Sequence, residues 1–185
     1  MMRRTGYGIS VEVPVGWSAA VVRRAAPADD PAGLDGFDAG APQRAAPDPV
    51  DLLTERTLPV LHVSTRPLPA TVGDFGSGAV ETLGSEDVFV ALVEYGSDLA
   101  DTGLFEKQGV PRLAPSQFGP HRMPRDIVGR SASQHFFSVG GRAFCLFTVL
   151  GSHSRRMATV PRAAAVARSL RIVSAATMHA RGVSV

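Results

Sequence analysis

Two adjacent glycines, Gly140-Gly141, stand between the apolar runs Ser133–Val139 and Arg142–Leu150. Two-residue loops that close antiparallel hairpins adopt turns whose central residues need positive φ, and glycine meets that need without steric cost. In the register this turn sets, Val139 faces Arg142, Phe137 faces Phe144, His135 faces Leu146 and Phe136 faces Cys145. Both faces are apolar at mid-length, which predicts a hairpin inside a sheet rather than at its rim. Val88–Tyr95 adds a second constraint. Val88, Val90 and Leu92 point one way while Phe89, Ala91, Val93 and Tyr95 point the other, the pattern of a central strand covered on both sides.

The remaining strands are weaker. Tyr7, Ile9, Val11 and Val13 alternate with small or polar residues, Pro14-Val15-Gly16 interrupts, and an apolar stretch resumes from Trp17 to Arg24. This predicts a first hairpin. Leu58–Thr65 reads as another strand, with Pro59 marking its first residues as an edge or a strand start. One or two helical turns are expected around Ala79–Leu83, and prolines 111, 115, 120 and 124 keep residues 96–130 rich in loops. Thr159-Val160-Pro161 opens a helix that buries Val160, Ala163, Ala167 and Leu170 and turns Arg162 and Arg168 outward, fading between Arg171 and Ser174. The expected fold is α+β: a single antiparallel sheet of about five to seven strands with packing helices, including a C-terminal helix. It forms one domain over residues 1–173, followed by a frayed tail at 174–185. Residues 25–49 hold five prolines, three glycines and five aspartates but only Leu34 and Phe37 as large apolar groups, so they read as an insertion.

Gly8-Ile9-Ser10-Val11-Glu12-Val13-Pro14-Val15-Gly16-Trp17 resembles the opening strand, Pro-x-Gly-Trp turn and return strand of the PsbP-like fold, named for an extrinsic protein of photosystem II. The closing order of strand, loop and helix from Ala143 to Ile172 is similar to that family as well. Members of that family share no single activity, and most look like binding or assembly factors without chemistry, so the resemblance implies a function of that kind. The insertion at 25–49 departs from the family pattern.

Charge is unevenly distributed. Residues 1–100 carry seven arginines against fourteen acids, and residues 101–185 carry twelve basic residues against three acids. Either the basic half meets an anionic partner, or the two halves interleave in the fold and neutralise each other. Eighteen of the nineteen basic residues are arginine and asparagine is absent, a skew expected of a high-GC genome such as that of an actinobacterium. The arginines are scattered without alternating aromatics, which argues against nucleic acid. The longest apolar run, Val88–Val93, is far too short to span a membrane. The first residues lack the apolar core of a secretory signal, so a cytoplasmic protein is expected.

Cys145 is the only cysteine, which excludes an internal disulfide and a multi-thiolate metal site; no cofactor is expected. Glu94, on the face of Val88, Val90 and Leu92, would suit a general acid or base if buried alone, and otherwise pairs with an arginine or marks the strand's exit. His62 and His135 sit on apolar strand faces, where structural histidines are usual. The richest polar cluster is Ser152, His153, Ser154, Arg155 and Arg156, with Arg162 in the following helix. It offers hydroxyls, an imidazole and guanidinium groups for an anion or a partner. The expected function is therefore a non-enzymatic protein-binding or assembly protein. Two alternatives remain open: a small-ligand binder or enzyme with a pocket near Glu94, His135 or His153, and an anionic-surface or nucleic-acid binder using the C-terminal arginines.

Overall fold

The computed structural model describes residues 1–25, 57–122 and 127–180. All of the insertion at 25–49 except Ala25 lies outside them, as do residues 181–185. The described strands are β1 (Met2–Gly6), β2 (Ile9–Val13), β3 (Ser18–Ala25), β4 (Thr57–Ser64), β5 (Val88–Gly96), β6 (Ser131–Val139), β7 (Arg142–Leu150) and β8 (Arg171–Ile172). Helix α1 (Arg156–Ser169) precedes β8, and a short helix α2 (Ala175–Ala180) follows it.

The α+β class holds, but the strands form two sheets rather than the single one expected. A five-stranded sheet runs β3-β4-β5-β7-β6 and a three-stranded sheet runs β1-β2-β8, both antiparallel in every pairing. The division falls at Pro14-Val15-Gly16. That segment does not return β3 onto β2. It closes a turn through Trp17 N–H to Pro14 O at 3.2 Å and sends the chain into the other sheet. The hairpin partner of β2 is instead β1, through a turn with Tyr7 at φ 50° and Gly8 at φ 73°. β1 carries Met-Arg-Arg-Thr-Gly, exposed along most of its length, so no apolar alternation announces it.

The Gly140-Gly141 hairpin has the register its turn dictates, with φ of 60° and 74° at the two glycines. Its position differs from expectation, because β6 is an edge strand and only β7 is interior. The rim is covered by coil instead of a strand: isolated bridges join Gln108 to Ser138 and Gly119 to Ala132. β5 is the central strand its sequence requires, paired to β4 and β7.

One face of the large sheet packs Leu61, Val90, Leu92 and Leu146 against β2 (Ile9, Val11, Val13) and α1 (Val160, Ala163, Val166). The other face packs Val60, Phe89, Val93 and Phe147 under Ala79, Val80 and Leu83, where the expected helical turn forms as a single 3-10 turn at Val80–Thr82. Helix α1 starts one turn before Thr159, so Pro161 lies inside it, where its missing N–H forgoes the bond to the Met157 carbonyl. Where the tail was expected to fray, α2 docks with Met178 only 4% exposed.

The two sheets meet at Arg142, which is fully buried, as is Glu94. Glu94 is the cross-strand partner of Phe144, which puts it diagonal to Arg142 on the same face; the register shifts only beyond it, between Glu94 and Gly96. Arg142 Nε donates to Glu94 Oε1 at 2.8 Å and Nη2 donates to Oε2 at 2.5 Å. Nη2 also donates to Tyr7 O at 3.1 Å, in the β1–β2 turn, and Nη1 donates to Val173 O at 3.0 Å, just after β8. The same corner is closed by Val173 N–H to Gly8 O at 2.8 Å and Ala175 N–H to Gly140 O at 2.9 Å. A methyl group on Gly8 would come within 2.6 Å of Met178 Sδ and 2.9 Å of Arg142 Nη1, so this position needs glycine for space as well as for its φ.

Replacing one member of a buried pair strands the other charge. Arg142→Met alone should therefore lower unfolding free energy by about 3–5 kcal/mol in denaturant titration. The double variant Glu94→Leu/Arg142→Met should recover much of that loss, but not the share due to the bonds to Tyr7 and Val173.

Candidate functional site

The corner between β7 and α1 assembles the predicted polar cluster. His153 N–H donates to Gly129 O at 2.7 Å, fixing the corner against the start of β6. The hydroxyls of Ser152 and Ser154 hydrogen-bond each other at 2.9 Å. Arg156 Nη1 donates back to His153 O at 3.1 Å. Arg155 forms an ion pair with Glu86, and Arg162 Nη1 donates to the Glu86 carbonyl at 2.8 Å. The three arginines therefore do not converge on one point. Arg155 and Arg162 close on Glu86, from the acidic half of the chain, while Arg156 caps its own loop.

Arg130 reaches the carbonyls of Glu81 and Leu83 at 3.0 and 2.9 Å. Together with Arg142–Glu94, these contacts show the two charge-biased halves interleaving. Seven of the seventeen acids fall at residues 26–56, outside the described residues.

Beyond Arg156, α1 departs from an ordinary surface helix. Its solvent-facing positions are Met157, Ala158, Pro161, Arg162, Ala165 and Arg168. A helix lying on a core normally turns charged and polar groups outward. Here that face has no acid and no neutral polar side chain. Met157, Pro161 and Ala165, four residues apart, make a continuous apolar stripe, with Met157 68% exposed. Beside it, the Arg162 guanidinium lies 5.3 Å from the ring centre of the half-buried Trp17. Methionine, tryptophan and arginine are the side chains enriched where proteins meet. The expected outward arginines are in place. The apolar stripe was legible in the spacing of residues 157, 161 and 165, but nothing local to the sequence places Trp17 or Glu86 beside Arg162.

The other candidate residues are held within the scaffold. Glu94 is fully buried, with both carboxylate oxygens on Arg142. His62 is buried, stacks at a tilt on Phe89, and its Nε2 donates to Asp74 O at 3.0 Å. It lines a cleft of about 650 Å³ with Ala20, Val22, Leu68, Val72 and Ser77, and among the described residues that line it none carries an acid, lysine or arginine side chain. Cys145 is buried on the face opposite His135, and burial pushes its thiol up to about 12, far from a nucleophile's range. Near this cleft Arg24 pairs with Asp74 at 2.9 Å and lies 5.6 Å from the Tyr95 ring centre. Among the described residues, no three His, Cys, Asp or Glu side chains are grouped to hold a metal ion, and no helix is long and apolar enough to cross a membrane.

No protein-family model, curated protein or solved structure matches the chain.

Burial lowers the proton affinity of His62, against partial compensation from the Asp74 carbonyl and carboxylate. It also lowers that of His135, where Arg122 and Lys107 add repulsion. In the unfolded chain both imidazoles take a proton near pH 6.5. Below that pH the unfolded state binds more protons than the folded one, so stability falls as pH is lowered. Melting followed from pH 7 to pH 5 should show this decline. His135→Gln should flatten it, and an unchanged slope would remove His135 from the account.

Proposed function

We propose that this protein is a non-enzymatic binding or assembly protein whose partner docks on the outward face of α1. The observation that carries the reading is the apolar stripe of Met157, Pro161 and Ala165 flanked by Arg162 and Arg168. An apolar centre with a basic rim fits a protein surface that presents an apolar side chain among carboxylates. Arg162, held by Trp17 and the Glu86 carbonyl, is already ordered before a partner arrives, which reduces the entropy lost on docking. The PsbP-like resemblance of residues 8–17 implies the same class of function. The pairing of Glu94 with Arg142 and the burial of Cys145 favour it over a reaction centre built on those groups.

The test is capture from the native host at moderate salt, using the tagged full chain and its Met157→Glu variant. Met157 is exposed, so the substitution should change stability by less than about 0.5 kcal/mol. The unmodified chain is expected to retain one stoichiometric protein, and the variant to retain it at least about tenfold less well. Equal retention by both chains would contradict the proposal. So would the absence of any stoichiometric protein on the unmodified one.

A further inference from the structure

One end of the β6–β7 hairpin buries polar side chains that find no hydrogen-bond partner among the described residues. They are Ser131 Oγ, Ser133 Oγ and Thr148 Oγ1, with His135 Nε2 and His153 Nδ1. Ser131, Ser133 and Thr148 are completely buried. Their placement is systematic. Residues 131, 133 and 135 alternate along β6 and share one face, in steps of about 6.6–6.8 Å. Thr148 is the direct cross-strand partner of Ser133. His153 joins the row at its far end, because its N–H is bonded to Gly129 O, two residues ahead of Ser131. The face they occupy is the one covered by α1 and by Leu113 and Phe118.

A buried hydroxyl without a partner is costly, and three on one enclosed face with two imidazole nitrogens beside them are more so. The five side chains include no Asp, Glu, Lys or Arg. Their occupant must therefore be neutral, small enough to be enclosed, and able to donate and accept at once. Water has that chemistry, and buried water makes two to four bonds of this kind in protein interiors. We infer that this row is an internal hydration site, in which a file of bound water links the hydroxyls of Ser131, Ser133 and Thr148 to His153 at one end and His135 at the other. The site is independent of the α1 surface, since none of its five residues lies on the outward face of that helix.

Two measurements on the full chain decide it. Magnetisation transfer from water to the amides of Ser131, Ser133 and Thr148 should show long-lived bound water in the unmodified protein. The near-isosteric variants Thr148→Val and Ser133→Ala should each lower Tm by about 2–6 °C, because each removes a hydroxyl that water satisfies. If the hydroxyls are orphaned instead, removing them raises Tm and no transfer is seen; that result overturns the inference. A lowered Tm without transfer also overturns it, since it assigns the bonds to a direct Ser133–Thr148 pair. If a variant does not fold, transfer in the unmodified protein is the deciding result.

Discussion

Arg142 holds a full positive charge where no water reaches it. A guanidinium carries five N–H groups in a rigid fork, and an ion so placed is tolerable only when those donors are matched. Two match the Glu94 carboxylate, and two more bonds go to the carbonyls of Tyr7 and Val173. Glu94 belongs to the large sheet. Tyr7 and Val173 belong to the turn and the chain end that define the small one. The pair therefore sets how the two sheets sit together, which hydrophobic burial alone specifies poorly. Gly8 and Gly140 are part of the same joint, one making room for Arg142 and Met178, the other for Ser174.

This use of charge shapes what is left for function. The carboxylate best placed for chemistry is occupied by the joint, and the cysteine lies deep in the opposite face. Of the basic residues grouped near the β7–α1 corner, Arg155 and Arg162 close on Glu86 and Arg156 on its own loop. The outward face of α1 carries the apolar stripe of Met157, Pro161 and Ala165, and the binding role we propose rests on it.

The parts of the fold legible in the sequence were those fixed by local rules. The Gly140-Gly141 turn dictated the β6–β7 register, and two-sided apolarity marked β5 as central. Legibility failed where a strand's partner supplied the explanation. β1 is exposed, so its five residues lack the alternation that reveals a strand, and without it the sequence pattern pairs β2 with β3 and implies one sheet instead of two. β6 looked interior because coil residues 105–119, not a strand, cover its rim. At the candidate site the outward arginines of α1 were visible from helical spacing. The Glu94–Arg142 pair was half visible, since the hairpin register put Arg142 on the face of Phe144 and Leu146, but the β5–β7 pairing that brings Glu94 to it is a long-range fact.

Native-state hydrogen exchange on Arg142→Lys tests the joint most directly. Lysine keeps the charge but cannot fork between a carboxylate and two carbonyls. The small sheet should then open on its own: amides of Ile9, Val11 and Ile172 lose protection while those of Leu92 and Leu146 keep theirs. If both sheets lose protection together and by the same factor, or neither does, Arg142 is not what joins them.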